Sequence, residues 1–268
     1  MIPKLIHYCW FGGKPIPQQY QEYIESWRTY FPDYEIRKWD ETNFDINCCE
    51  FTKDAAAQGK WAFVSDYARF HILEKWGGGV YFDTDVEVIK DMSDIITRGA
   101  FFGEQTKGRV AAGLGMAAEP GHAIYREVVE AYNKATFELS SESSKQKTVV
   151  QHLTDILAEH GYSSLGAELQ VVEGITIYPP DYFNPKDYKT GLIHKTKNTR
   201  TIHHFAESWK TPGERFVHVI EIAICKVFGA NVGKIIAYII VLPYAVINRV
   251  RRTGLKRTLM FIKKKIMR

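Results

Sequence analysis

The sequence predicts an α/β layer fold, and three observations carry that expectation. Over the first 120 of 268 residues, short apolar runs alternate with helical stretches, the pattern of strands covered by helices. One apolar run, Val80-Tyr81-Phe82, leads directly into Asp83-Thr84-Asp85, which brings two carboxylates to the C-terminal edge of a sheet, where open α/β folds take ligands. The composition, 45% apolar and 25% charged, is that of a globular chain and excludes a disordered, collagen-like or disulfide-stapled one.

The elements follow in order. Residues 3–8 read as a buried strand, and Trp10-Phe11-Gly12-Gly13-Lys14-Pro15 as the loop after it. A helix over 17–30 opens on Pro17, whose fixed φ suits a first turn. Residues 34–39 alternate like a strand and end at Asp40. A helix over 55–76, interrupted at Gly59, stops at Gly77-Gly78-Gly79, a run that suits a helix C-terminus. Residues 80–82 and 101–103 read as short strands. Helices at 121–137 and 145–160 flank a Ser-rich stretch at 140–144. Residues 171–178 form a strand or hairpin, with a turn over 178–181, and 201–205 a short strand carrying two histidines. No repeat of solenoid period is present.

The tail differs in kind. From residue 222 to the end there are 11 Lys and Arg and no Asp or Glu, leaving 24 basic against 31 acidic residues in the rest of the chain. Residues 235–247 are an uncharged, mostly branched apolar run interrupted by Pro243, shorter than the roughly 20 residues a spanning helix needs. Apolar segments interleaved with Lys and Arg fit helices lying on an anionic membrane. Nucleic acid is not the expected partner, because the bulky aliphatics would have no role there. A C-terminal helix packed on its own domain is the plainer alternative, but it leaves the missing acids unexplained. Cys9, Cys48, Cys49 and Cys225 lack ligand-like spacing and read as free thiols of a reducing compartment. Nothing in the first residues reads as a cleaved secretory signal.

The chemistry concentrates in two segments. Asp66 and Arg69, spaced i, i+3, project from one helix face; alone they would be an ordinary helix ion pair. Asp83 and Asp85 at a strand end are harder to dismiss, since neighbouring carboxylates raise each other's pKa unless a cation sits between them. Hard oxygen ligands favour Mg²⁺ or Mn²⁺, which can neutralise a diphosphate. A strand ending in Asp-x-Asp also opens haloacid-dehalogenase-like phosphatases, but Glu87 stands at their Thr/Val position and no later paired-aspartate motif follows.

Three blocks in order carry a resemblance: residues 2–13, the stretch Trp61-Ala62-Phe63-Val64-Ser65-Asp66-Tyr67-Ala68-Arg69, and Gly-Gly-x-Tyr-Phe-Asp-Thr-Asp at 78–85. Together they are similar to glycosyltransferase family 32, which includes capsular polysaccharide synthesis proteins and yeast mannosyltransferases, and more distantly to the glucosyltransferase domain of large clostridial toxins. The resemblance implies a GT-A-type single nucleotide-binding domain with a mixed central sheet over 1–212, followed by C-terminal amphipathic helices in a basic, apolar, membrane-associating segment over 213–268. It implies that Trp10 stacks on the nucleotide base, that Asp66, Arg69 and Tyr81 contact donor sugar and diphosphate, and that Asp83 contacts ribose, sugar and metal while Asp85 is the main metal ligand. Ile202-His203-His204-Phe205-Ala206-Glu207-Ser208-Trp209 resembles the family's His-His-x-x-x-Ser-Trp element. It implies one histidine ligand, with His204 the candidate, and places Ser208 and Trp209 near the leaving diphosphate. The asparagine that relatives often carry near 110–115 is missing here.

The expectation is a Mn²⁺- or Mg²⁺-dependent hexosyltransferase taking a UDP- or GDP-hexose. It would act with retention on a saccharide acceptor that is lipid-linked, as in bacterial capsule synthesis. It would be cytoplasmic and peripheral on the inner face of the cell membrane, held through 215–268. The alternatives are a toxin-like protein glycosyltransferase and a non-catalytic sugar-nucleotide or membrane-binding module.

Overall fold

The computed structural model describes residues 1–137, 147–165, 169–206, 212–255, 257, 258 and 260. They fall into two compact units, one drawn from Met1–Lys186 and His194–Trp209, the other from Asp187–Ile193 and Lys210–Arg268.

In the first unit the chain begins with β1 (Leu5–Cys9), α1 (Gln18–Tyr30) and β2 (Glu35–Trp39). The single interrupted helix expected over 55–76 is two helices, α2 (Glu50–Ala57) and α3 (Trp61–Lys75). Gly59 takes φ +64° between them, a conformation that ends one helix and redirects the next. Then come β3 (Gly79–Tyr81), β4 (Val86–Val88), the short α4 (Ser93–Ile96), β5 (Phe101–Thr106) and β6 (Arg109–Ala111). A 3₁₀ turn at Ala112–Leu114 leads to β7 (Met116–Ala118), α5 (Ala123–Asn133) and α6 (Val149–Glu159), the last started by a Thr148–Gln151 capping box. β8 (Gln170–Val172) and β9 (Ile175–Tyr178) form a hairpin, and α7 (Pro180–Phe183) and β10 (Thr201–His203) complete the unit.

The main sheet has the order β2-β1-β3-β7-β5-β9-β8, with β6 paired to β5. β2, β1 and β3 run parallel, β7 lies antiparallel to both β3 and β5, and β9 is parallel to β5. The sheet is therefore mixed, as expected. Adjacent residues Phe101 and Phe102 point to opposite faces, the period-2 rule of a strand. Phe101 joins Ile6, Trp27 and Phe82 in one core, whereas Phe102 joins Phe70, Tyr125 and Leu153 in the other. A layer of helices covers each face.

β4 and β10 form a separate antiparallel ribbon in which His203 pairs with Val86 and Ile202 with Glu87. Helix α1 supports it. The Trp27 indole N–H donates to Val86 O at 2.8 Å, the Tyr30 hydroxyl to Ile89 O at 2.9 Å, and Ser26 Oγ accepts the Val88 N–H at 3.0 Å.

The second unit contains α8 (Pro212–Phe228) and α9 (Ala230–Thr253), joined by Gly229 alone at φ +75°. Helix α9 runs through Pro243. Residues 187–193, which nothing in the sequence sets apart, pack here too, with the Tyr188 ring stacked on His218 at 4.8 Å.

Candidate active site

β3 delivers the two aspartates. It lies between β1 and β7, and its entry needs glycine. Gly78 has φ +69°, and a Cβ there would stand 2.5 Å from Ala118 O on the neighbouring strand, closer than any side chain tolerates. The Phe82 N–H still donates to His7 O at 3.2 Å, after which the chain leaves the sheet at Asp83.

Asp83 is braced from α3. Arg69 Nη2 lies 3.1 Å from Asp83 Oδ1 and 3.1 Å from Asp66 Oδ1, while Arg69 Nε donates to Ser65 O at 3.1 Å. The Tyr81 hydroxyl donates to Asp83 Oδ1 at 3.0 Å, and the Arg69 guanidinium stands over the Tyr81 ring at 5.3 Å. Arg69 is only 6% exposed, so as found it braces Asp83 and does not face solvent. Burial pushes the Asp66 carboxyl up to about 7, with Arg69 pulling it down and Asp83 adding repulsion. Burial likewise raises Asp83, against the pull of Arg69. Gly113 makes room for this group: a Cβ there would collide with Asp83 Oδ2 and stand 3.3 Å from Arg69 Nη1. Gly113, within the stretch noted in the sequence for a missing asparagine, is thus the wall against which Asp83 rests.

Asp85 is held by the other segment. His203 Nε2 lies 3.1 Å from Asp85 Oδ1, the Ala206 N–H donates to Asp85 Oδ2 at 2.7 Å, and the His204 N–H donates to Asp85 O at 2.8 Å. Burial works against the Asp85 charge, but His203 and the Ala206 N–H hold its carboxyl down at about 2. Burial would lower His203, and the Asp85 charge outweighs it and raises the imidazole.

Asp83, Asp85 and His203 offer one ligand atom each within 4.8 Å of one another. His203 Nδ1 is buried without a hydrogen-bond partner, a costly state for an imidazole nitrogen. Two carboxylates and one imidazole brought this close, the imidazole with one nitrogen unpartnered, fit a divalent cation, and the oxygen-rich donor set suits Mn²⁺ or Mg²⁺.

This corrects the choice of histidine. His204 follows the last residue of β10 and turns its side chain to Glu87 and α1. There its Nε2–H donates to Glu87 Oε2 at 2.9 Å and its ring stacks on Tyr23 at 4.3 Å and 5°. His204 thus secures the ribbon to α1, and Lys186 Nζ fixes it further by donating to His204 O at 2.8 Å. Trp10 stands apart from the metal cluster. Its indole N–H donates to Lys14 O at 2.6 Å, and its half-buried ring packs edge-on against Tyr20 at 5.8 Å. Tyr20 in turn stacks with Tyr23 at 6.3 Å, so an aromatic row on α1 joins the Trp10 loop to His204. Ser208 and Trp209 lie outside the described residues.

Sequence reasoning did not find Glu87, Tyr23, Gly113 or the Ala206 N–H. Glu87 was in view only as a misfit to a phosphatase motif, and a backbone donor leaves no sequence signal at all.

Residues 17–102 match the family model described as "Glycosyltransferase sugar-binding region containing DXD motif". The matched stretch contains Asp66, Arg69, Tyr81, Asp83 and Asp85, and leaves out Trp10 and His203. An uncharacterized glycosyltransferase of Acanthamoeba polyphaga mimivirus is 23% identical over 199 residues, covering 70% of this chain and 77% of its own. The solved structure titled PaToxG Glycosyltransferase aligns with a TM-score of 0.44 at 17% identity over 59% of this chain and 68% of that one. The protein is a glycosyltransferase, similar to those that carry the DXD sugar-binding region. Its donor and acceptor are those of a sugar transfer, and the Asp83–Asp85–His203 cluster is its candidate metal centre.

Proposed function

We propose that this enzyme moves a hexose from a UDP- or GDP-sugar to a saccharide acceptor, with Mn²⁺ or Mg²⁺ held by Asp83, Asp85 and His203. The observation that supports it most is the convergence of those three side chains, one of which, Asp83, is already braced by a buried arginine. The cation, when bound, neutralises the departing diphosphate. The protein's own groups do the rest. Arg69 and Tyr81 keep Asp83 in place, Gly113 leaves the space it occupies, and Glu87 and Tyr23 hold the His204 backbone over Asp85. Trp10 supplies a flat apolar surface beside the first strand for the nucleotide base.

The transfer proceeds with retention. The acceptor hydroxyl attacks the anomeric carbon on the face the diphosphate leaves, the carbon–oxygen bond to the diphosphate breaks, and the hydroxyl proton passes to the leaving phosphate oxygen. No side chain of the cluster is needed as a nucleophile.

The acceptor is lipid-linked, as in capsule or related surface polysaccharide assembly, and the enzyme works at the cytoplasmic face of the cell membrane. The support is the charge pattern: 11 basic and no acidic residues from 222 onward, among apolar helices. An enzyme confined to the surface that holds its acceptor gains local concentration.

The test is transfer of labelled hexose from UDP- and GDP-sugars, with Mn²⁺, to a bacterial lipid extract. The reading predicts label in a saccharide lipid, lost with Asp85→Ala. Label on protein alone would favour the toxin-like alternative. Undiminished transfer by Asp85→Ala would sink the metal assignment.

A further inference from the structure

Most of the large apolar side chains left exposed among the described residues sit on the α8–α9 hairpin. They include Phe228 (53%), Ile235 (64%), Ile239 (62%) and Leu242 (42%). Two contacts fix how its helices lie. A Cβ on Gly233 would stand 2.6 Å from Cys225 Cα, and one on Gly213 would run into the Tyr244 hydroxyl. Cys225 and Ala237 between the helices are 1% and 3% exposed. The helices therefore run antiparallel in close contact over about 17 Å, given a rise of about 1.5 Å per residue.

By length and composition alone, Ala230–Arg251 could cross a membrane, and only 12% of its most apolar window is buried. Its partner helix argues against a crossing. α8 carries Glu214, Arg215, Glu221 and Lys226, and with Gly229 as the whole connection both outer ends of the hairpin lie on the same side. If the pair crossed, Glu221, midway along the 17-residue α8, would enter hydrocarbon, where ionisable side chains are strongly disfavoured. Lying in one leaflet meets no such conflict. The exposed aliphatics then contact acyl chains, and Arg249 and Arg251 at the end of α9 sit among headgroups. The absence of any Asp or Glu from residue 222 onward matches an anionic surface.

We infer that the α8–α9 hairpin seats in one leaflet of an anionic membrane and does not cross it. This rests on the membrane reading above and adds its mode.

The full-length protein is tested by flotation with phosphatidylglycerol–phosphatidylcholine vesicles. A Phe228→Cys variant, in a Cys48→Ser, Cys49→Ser background, carries an NBD fluorophore at the hairpin turn. The inference predicts flotation, a blue-shifted NBD emission, and complete bleaching by dithionite added outside the vesicles. It also predicts that Ile239→Glu with Leu242→Glu, both exposed positions, lowers flotation by ~10-fold or more while the thermal shift with donor is kept. Flotation with the fluorophore protected from external dithionite would mean that the hairpin crosses, overturning the mode but not membrane binding. Failure to float, with donor binding intact, would overturn both and leave the transferase standing. A stable dimer in solution that both glutamates dissociate, and that does not float, would assign the face to a second copy and overturn the inference.

Discussion

His203 Nε2 lies 3.1 Å from Asp85 Oδ1, and that contact joins the two ends of the site, more than a hundred residues apart in the chain. The ribbon of β4 and β10 brings them together, and Trp27, Tyr30 and Ser26 tie the ribbon to α1. The metal assignment rests on this closure, so the ligands and the groups that aim them separate in experiment. Asp85→Ala and His203→Ala should abolish or nearly abolish Mn²⁺ binding measured by calorimetry. Glu87→Gln, which loosens His204 without touching a ligand, should weaken it by roughly 10–100-fold, the usual cost of losing a group that orients a ligand. Equal losses for His203→Ala and His204→Ala would contradict the geometry.

Arg69 is a stability prediction as well as a functional one. It is buried between Asp66 and Asp83, and removing one partner of a buried charge cluster leaves the others uncompensated. Arg69→Met should lower the free energy of unfolding by about 3–5 kcal/mol, read from urea denaturation. Arg69→Lys should recover part of that, since a lysine supplies the charge but not the fork that reaches two carboxylates.

Gly113→Ala tests the wall beside Asp83. The added methyl group collides with Asp83 Oδ2, so Asp83 must move. The expected result is weakened Mn²⁺ and donor binding with the fold retained by circular dichroism. Gly174→Ala, at φ +79° in the β8–β9 turn with open space around it, should cost stability but leave metal binding unchanged.

A pH effect follows from His7. Its Nδ1 accepts from the Trp39 indole N–H at 3.0 Å and its Nε2–H donates to Gly78 O at 3.0 Å, so the fold holds it neutral. Burial lowers its pKa from 6.5 to about 4. The unfolded chain therefore binds the proton more readily. Stability from this group is full above pH 6.5 and falls as the pH drops towards 4, by about 3 kcal/mol in total. His7→Gln should flatten that part of the stability profile measured by denaturation between those limits.

Strands β1 and β3 were legible because apolar runs bounded by proline or glycine carry their own signal, and β2 because its side chains alternate; the Asp83–Asp85 pair stood at the end of β3. The β4–β10 ribbon was not. Val86–Val88 is three residues long, too short for alternation to register, and its partner lies far along the chain. For the same reason the histidines could be found but not told apart: which one faces Asp85 depends on a strand register that only the pairing with β4 sets. The tail's charge was plain in the sequence. The tight packing at Gly233 and Gly213, which makes it a hairpin, depends on two helices meeting. A glycine looks the same at a crossing as in a loop.

The most direct test of the central claim is a thermal-shift titration of the full-length protein with UDP- and GDP-hexoses, with and without Mn²⁺. A donor at a hundred times its dissociation constant adds about 2.7 kcal/mol of stability. The account predicts a rise in melting temperature with one nucleotide class, dependent on Mn²⁺ and absent in Asp85→Ala. A donor shift that is the same without metal and survives Asp85→Ala would contradict a metal-assisted donor site at Asp83, Asp85 and His203.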